Sequence, residues 1–345
     1  MTRWNGTILL SLIACGARTG LIAPEPPVDA GPDSHVPCRP GVFALTKAQP
    51  ALMFVLDRSG SMGTPFSGKS TRWQVLTGSL QLSLPSVDQT MQIGALLFPT
   101  VSGFNSCNVA SNVDITPGLG HVDALLSLME KARPGGSTPT ADAIDVASKS
   151  LLAVRAAQAA RALVLATDGG PNCKTSLDPN KCTCVDMRGC GGRATQCLDD
   201  TRTVARIASA FSKGLPTYVI GIQNADETQN NKVLDAMADA GGRPKTGTHH
   251  FYAATNAAEL DEALVAIRDQ LGACTYLTTS VPDAQGTITV TIDGKPVPFD
   301  PSGTTGWHWA NQDNGEIVFA GDTCKLLATS TPKLEAEVTC ADEAD

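Results

Sequence analysis

A continuous apolar run passes directly into a loop of oxygen-bearing side chains in Ala51-Leu52-Met53-Phe54-Val55-Leu56-Asp57-Arg58-Ser59-Gly60-Ser61. An apolar run of this length that ends in a turn-forming loop is typical of a strand buried on both faces. The loop then places the carboxylate of Asp57 close to the hydroxyls of Ser59 and Ser61. Carboxylate and hydroxyl oxygens are ligands that suit a hard divalent cation. This stretch therefore predicts a metal site just beyond the end of a buried strand.

Apolar runs and amphipathic helical stretches alternate between residues 50 and 272. The apolar runs predict strands at 51–56, 91–98, 161–166, 215–222 and 249–253, with a short edge strand near 112–116. Between them, apolar residues recur at intervals of three and four, as in Trp73, Leu76, Leu80 and Leu84. The alternation predicts an α/β fold, a doubly wound and mostly parallel sheet flanked by helices.

Two later segments supply further oxygen atoms, namely Gly136-Ser137-Thr138-Pro139-Thr140 and Thr167-Asp168-Gly169. Asp168, like Asp57, directly follows a predicted strand, and ligands of such sheets collect beyond the strand ends where the strand order reverses. Two carboxylates just balance the charge of a divalent ion. If one of them binds only through water, the ion stays electron-poor and would readily accept an external carboxylate. The alternatives are that Thr138 only caps a helix and that the aspartates only form turns.

These segments together resemble the von Willebrand factor type A domain with an intact metal-ion-dependent adhesion site. The resemblance lies in residues 53–62, 136–140 and 165–169 and spans about residues 50–272. It implies Mg²⁺, with Mn²⁺ or Ca²⁺ as alternatives, and an acidic side chain of a partner protein that completes the coordination shell. The ligands it implies, some of them through water, are Asp57, Ser59, Ser61, Thr138 and Asp168.

The chain has eleven cysteines, an unusual number for a protein of reducing compartments. Setting Cys15 aside leaves an even number that could form five disulfides, or in part a zinc site, although two C-x-x-C pairs are lacking. Five of them lie in residues 171–197, an insertion that directly follows Asp168 and is expected to form a cap on the same face. The disulfide candidates are Cys38, Cys107, Cys173, Cys182, Cys184, Cys190, Cys197, Cys274, Cys324 and Cys340.

The N-terminal residues indicate export. Residues 1–14 are typical of a signal peptide, and Leu12-Ile13-Ala14-Cys15-Gly16 resembles the lipobox of bacterial lipoproteins, which implies lipidation of Cys15. Residues 16–45 are rich in proline and predict an extended tether. The expected location is the bacterial cell envelope, with the outer membrane or cell surface reached through a lipid anchor alone; a secreted protein is the alternative.

Beyond Cys274 the pattern changes to short alternating runs, which predict a small β-rich appendage over residues 274–340. Cys274 and Cys324 bracket much of it and could close it with a disulfide. Cys340 could then pair with another part of the chain.

Charge and motifs limit the possible functions. The net charge of −8 disfavours nucleic acid as a partner, and motifs such as H-E-x-x-H or G-x-S-x-G are lacking. We therefore expect no enzyme but an adhesion module that binds a protein ligand presenting Asp or Glu. The alternatives are a structural surface protein whose insertion or C-terminal region makes the contacts, or a recruiting subunit of an envelope enzyme complex.

Overall fold

The computed structural model describes residues 36–100, 106–154, 161–185, 189–224, 230–272, 274–313 and 315–341. The predicted signal peptide, Cys15 and residues 16–35 of the predicted tether lie outside these ranges. The strands are β1 Gly41–Ala44, β2 Thr46–Lys47, β3 Ala51–Asp57, β4 Pro65–Ser67, β5 Ser70–Thr71, β6 Gln92–Phe98, β7 Ile115–Gly118, β8 Arg161–Thr167, β9 Thr217–Ile222, β10 Tyr252–Ala254, β11 Thr275–Leu277, β12 Ile288–Ile292, β13 Lys295–Pro296, β14 Trp307–Asn311, β15 Glu316–Phe319 and β16 Leu334–Val338. The helices are α1 Arg72–Ser83, α2 Val122–Lys131, α3 Thr140–Ala153, α4 Asp200–Phe211, α5 Asn231–Ala240, α6 Ala257–Gly272 and α7 Gly321–Thr329.

A six-stranded sheet forms the centre of the fold, in the order β10-β9-β8-β3-β6-β7. Every pairing in it is parallel except that of β7, the antiparallel edge strand, which lies close to the edge strand predicted near residues 112–116. The chain builds outward from β3 to β6 and β7, and then returns to add β8, β9 and β10 on the other side. The strand order therefore reverses between β3 and β8, and the predicted fold class is confirmed.

Both faces of the central sheet are covered, because successive side chains of β3 point in opposite directions. Leu52, Phe54 and Leu56 belong to one core, which includes apolar residues of α1, α2 and α6. Ala51, Met53 and Val55 belong to the other core, with apolar residues of α3, α4 and α5. Burial on both faces explains why β3 is apolar throughout rather than alternating.

The C-terminal region forms two further four-stranded sheets, in the orders β1-β16-β12-β13 and β14-β15-β11-β2. They enclose a third core that includes Val290, Trp307 and Ile317. Two of the eight strands come from before the central sheet, and β1 pairs with β16 from Gly41↔Val338 to Ala44↔Glu335. The predicted tether over residues 16–45 is therefore wrong at its end, because residues 41–44 gain a pairing strand from the far end of the chain.

All ten candidate cysteines are paired in disulfides. The pairs are Cys38–Cys340, Cys107–Cys173, Cys182–Cys197, Cys184–Cys190 and Cys274–Cys324. The sulfurs of Cys182, Cys190 and Cys197 lie within 4.8 Å of one another, but disulfide bonding leaves no thiolate to hold zinc. Across the described ranges, none of the helices combines the length and apolarity that a membrane crossing requires.

Candidate metal centre

Asp57 lies at the reversal of strand order, as the last residue of β3, and it is fully buried. Its Oδ1 accepts a hydrogen bond from the backbone N–H of Ser59 at 2.7 Å. Its Oδ2 accepts one from the hydroxyl of Thr167, the last residue of β8, at 2.6 Å. The carboxylate thus joins the ends of two adjacent parallel strands.

Ser59, Ser61 and Asp168 form a chain of hydrogen bonds beside Asp57. The two serine hydroxyl oxygens lie 3.1 Å apart, and the hydroxyl of Ser61 donates to Asp168 Oδ1 at 2.8 Å. Ser59 and Asp168 are buried, whereas Ser61 is exposed. The cluster is therefore open to solvent on the side of Ser61.

The loop that carries Thr138 is bonded to this cluster through its backbone. The N–H of Gly60 donates to the carbonyl of Gly136 at 3.1 Å. Gly136 has a φ of +88°, and a side chain there would come within 2.7 Å of Pro99, so glycine is required for the close approach of these loops. Thr138 lies two residues further along and is buried.

Asn172 holds Thr138 from the other side. The backbone N–H of Thr138 donates to Asn172 Oδ1 at 2.7 Å, and the backbone N–H of Asn172 donates to the carbonyl of Thr138 at 2.9 Å. Helix α3 begins only at Thr140, with Pro139 as its N-cap and no side-chain cap. The helix-capping alternative for Thr138 is therefore wrong.

Arg72 is a buried cation in the site that the sequence reasoning missed. It is the first residue of α1, and its Nη1 donates to Asp168 Oδ2 at 2.7 Å. The side chains are 4% and 0% exposed, respectively. No motif signals this role, because Arg72 lies eleven positions after Ser61 and only the path of the chain brings α1 over Asp168. Asn172 was missed because its partner, Thr138, lies 34 positions earlier in the chain.

Burial and the negative charge of Asp168 raise the pKa of Asp57 to about 7, although hydrogen bonds from Thr167 and Ser59 oppose the shift. Removal from water disfavours the ionised carboxylate, and a second carboxylate nearby adds repulsion. A divalent cation would relieve both effects. The donor set of carboxylates and hydroxyls matches the oxygen ligands of Mg²⁺, and Asp57, Ser59, Ser61, Thr138 and Asp168 are the residues that could hold it.

The same residue spacing recurs in the C-terminal region, in Asp300-Pro301-Ser302-Gly303-Thr304. There the hydroxyls of Ser302 and Thr304 donate to Asp300 at 2.6 and 2.9 Å. These hydrogen bonds, led by that of Ser302, lower the pKa of Asp300, which is exposed. The two hydroxyls are therefore bonded to their own aspartate.

The fold and site define an α/β domain whose candidate site consists of carboxylate and hydroxyl oxygens at the reversal of strand order. The model of the von Willebrand factor type A domain family matches residues 51–265, which is more than half of the chain. The chain belongs to this family. No curated protein matches its sequence.

Several solved structures are similar in fold. The PilB minor pilin from Streptococcus sanguinis is 18% identical with a TM-score of 0.47, over 65% of this chain and 61% of that one. The pilus adhesin SpaC from Lactobacillus rhamnosus GG, in an open conformation, is 14% identical with a TM-score of 0.49, over 89% of this chain and 42% of that one. Manganese-loaded TRAP protein from Plasmodium vivax is 19% identical with a TM-score of 0.44, over 66% of this chain and 78% of that one.

Proposed function

We propose that this chain is an adhesion module that binds a partner protein through Mg²⁺ held by Asp57, Ser59, Ser61, Thr138 and Asp168. The observation that carries the proposal is the cluster at the ends of β3 and β8. There a fully buried Asp57 lies near Asp168, and Ser61, whose hydroxyl donates to Asp168, is exposed to solvent. Mn²⁺ and Ca²⁺ are alternatives for the ion.

The proposed ligand is an Asp or Glu side chain of the partner. Hydroxyls are neutral ligands, so most of the negative charge around the ion would come from the two aspartates. An ion that keeps a vacant position at the exposed edge would attract a further carboxylate, because a carboxylate is both a hard ligand and an anion. The partner's acidic group would thus enter from the side of Ser61.

The cysteine-containing insertion supports this arrangement by its position. The Cys107–Cys173 disulfide joins it to the loop after β6, and Asn172 at its start holds the backbone of Thr138. Two internal disulfides, Cys182–Cys197 and Cys184–Cys190, stiffen the rest. We propose that the insertion forms a rigid wall against which a partner docks when its carboxylate reaches the ion.

We place the protein in the bacterial cell envelope, anchored by lipid on Cys15. Five disulfides favour an oxidising compartment, and the lipobox-like segment favours anchoring over free secretion. The proposal includes no chemical reaction. A screen of the purified chain against ester, peptide and phosphate substrates should therefore show no turnover.

Affinity capture from envelope extract tests the proposal. The full chain is immobilised and compared in Mg²⁺ and in excess chelator, together with the variants Asp57→Asn and Asp300→Asn. The second variant is the matched control, because it alters the same motif in the C-terminal region. A partner retained only in Mg²⁺ by the wild type and by Asp300→Asn supports the proposal. Equal capture in chelator, or by Asp57→Asn, contradicts it.

The structural alternative makes a different prediction. If the insertion rather than the ion makes the contacts, replacement of residues 174–197 by a short glycine-serine linker should abolish capture, whereas Asp57→Asn should not. This replacement removes both internal disulfides of the insertion and keeps Cys173 paired with Cys107.

A further inference from the structure

Arg72 lies at the candidate metal centre but, as a cation, cannot be a ligand of the metal ion. Its guanidinium contacts Asp168 Oδ2, while the other oxygen of the same carboxylate accepts a hydrogen bond from Ser61. Both partners of the ion pair are almost completely buried. A buried arginine has a high desolvation cost, which a close carboxylate offsets.

The backbone around Arg72 keeps the guanidinium in place. The N–H of Arg72 donates to the carbonyl of Thr64 at 3.1 Å, which fastens the start of α1 to the loop that follows Ser61. Thr71 caps the helix, and the Gln74 side chain accepts a hydrogen bond from the N–H of Thr71 in return. Such a capping box fixes the first turn of a helix. The charge of Arg72 is thus a preorganised part of the site.

We propose that Arg72 is a positioning residue that keeps the metal ion short of negative charge, so that the site binds the ion tightly only when a partner's carboxylate is also bound. This rests on the proposed function of the site. Arg72 cancels the charge of one of the two aspartates and directs Asp168 Oδ1 toward Ser61. A divalent ion bound to the remaining single negative charge keeps a net positive charge. An external carboxylate is then the group that neutralises it.

Electrostatics sets the size of the effect. One unit charge a few ångströms from the ion, in surroundings of intermediate dielectric constant, changes ion affinity by about tenfold. Because binding of the ion and of a carboxylate are linked, the factor by which one strengthens the other is the same in both directions. Arg72 should therefore weaken binding of the ion alone and strengthen its coupling to the carboxylate.

The test is a titration of the full, chelator-treated chain with Mn²⁺, in which electron paramagnetic resonance measures the free ion. The titration is run without and with about 100 mM acetate, the carboxylate probe, a concentration well above the millimolar Kd of a weak ligand. The variants are Arg72→Gln, which removes the charge but keeps a donor, and Arg72→Lys, which keeps the charge. Arg206→Met is the control, because it removes an ion pair with Asp145 between α3 and α4. Circular dichroism checks the fold of each variant.

We expect Arg72→Gln to bind Mn²⁺ about tenfold more tightly without acetate and to lose most of the enhancement that acetate produces in the wild type. Arg72→Lys and Arg206→Met should behave like the wild type. If Arg72→Gln loses affinity both with and without acetate, or changes neither, the inference is wrong and Arg72 has only a structural role. If the wild type itself binds no Mn²⁺, the proposed function fails, and the inference fails with it.

A second measurement covers the case in which Arg72→Gln does not fold without metal. The variant is then folded in excess Mn²⁺, because the ion supplies a positive charge beside Asp168, and Mn²⁺ affinity is read from the dependence of the thermal midpoint on free Mn²⁺. Loss of the acetate enhancement that the wild type shows in the same measurement supports the inference, and an enhancement equal to that of the wild type overturns it.

Discussion

Two loops of this chain have the same pattern of an aspartate followed by hydroxyl residues two and four positions later, but they use it in opposite ways. In the loop at Asp300, the hydroxyls of Ser302 and Thr304 both donate to Asp300. In the loop at Asp57, the hydroxyls of Ser59 and Ser61 lie within hydrogen-bond distance of each other, and the hydroxyl of Ser61 donates to Asp168. The pKa of the aspartate is lowered in the first loop and raised in the second.

The difference comes from the surroundings. The Asp57 carboxylate takes its main hydrogen bonds from a backbone N–H and from Thr167 on the adjacent strand, with a smaller contribution from the Ser59 hydroxyl. The Ser61 hydroxyl is therefore left to bond Asp168 instead of its own loop's aspartate. The Asp300 loop lies at the surface and satisfies its carboxylate internally. A motif of this kind becomes a candidate ion site only where a sheet brings a second carboxylate to it.

The largest expected effect is on the pH dependence of stability in the chelated protein. The pKa of Asp57 in the folded protein, about 7, is well above the ordinary pKa of an aspartate, 3.8. Between these pH values the folded state keeps a proton that the unfolded state has released, so this group's stabilisation is lost as pH rises toward 7, by on the order of a few kcal/mol. Urea unfolding from pH 4 to 8 should show a smaller fall for Asp57→Asn than for the wild type.

Glu316 does not confound this comparison. Burial also raises its pKa to about 7, against the effect of Arg161, but it is present in both proteins and cancels in the difference. Asp300→Asn should leave the fall between pH 4 and 8 unchanged. The pKa of Asp300 is lowered, so its stabilisation is fully present above the ordinary range of aspartate and is lost only as pH falls below it. Parallel curves for wild type and Asp57→Asn would contradict the assigned environment.

Loss of the Asp57 charge should have the next largest effect, on ion binding. We expect Asp57→Asn to weaken Mg²⁺ binding by at least about a hundredfold, because the ion loses a fully buried anionic ligand. Isothermal titration calorimetry measures it, and Asp300→Asn should leave the affinity unchanged. Equal losses in the two variants would show that the two loops do not differ in the proposed way.

Removal of single hydroxyls gives a finer comparison. Ser61→Ala should weaken Mg²⁺ binding by about tenfold, since a neutral ligand and the hydrogen bond to Asp168 are lost together. Ser302→Ala removes a hydroxyl at the same place in the other motif and should have no effect on the ion. For both variants, ion binding is measured as the increase in the thermal unfolding midpoint when Mg²⁺ is added. An unchanged increase in Ser61→Ala would exclude Ser61 from the ion's shell.

We expect the smallest effect on Mg²⁺ affinity from loss of Asn172, which lies in the insertion and holds the backbone of Thr138. Asn172→Ala removes the acceptor of the Thr138 N–H, so Thr138 should be held less firmly and Mg²⁺ affinity should fall by about threefold. Asn180→Ala, in the exposed part of the same insertion, is the control. A fall of equal size in the control would assign the effect to the insertion as a whole.

The central sheet was predictable because its signals are local. The apolar run of β3 continues directly into Asp57, and the run of β8 ends one residue before Asp168. Once both strands are parallel neighbours, their ends must lie side by side. Three of the candidate site residues therefore follow from Asp57 and its loop, and a fourth from the parallel sheet.

Contacts between distant segments could not be predicted. Residues 41–44, Gly-Val-Phe-Ala, are too short a run to predict a strand by themselves directly after a proline-rich segment, and only pairing with β16, about three hundred residues later, makes them one. Arg72 has the appearance of an ordinary exposed residue at a helix start, and its burial depends on where α1 meets the sheet. The equal spacing at Asp300 shows the opposite limit, since a motif alone does not reveal the surroundings that give it a function.

The Cys38–Cys340 disulfide would have a mechanical consequence if the proposed adhesion puts the chain under tension. It links the chain ahead of β1 covalently to the segment after β16, so a force that enters at residue 38 is shared by both strands of that pair. The force then runs along β3 to Asp57, and β3 is parallel to its neighbours on both sides. A pull along β3 would load its backbone hydrogen bonds to both neighbours in shear, so that they resist together, whereas a pull across the strand would break them one at a time.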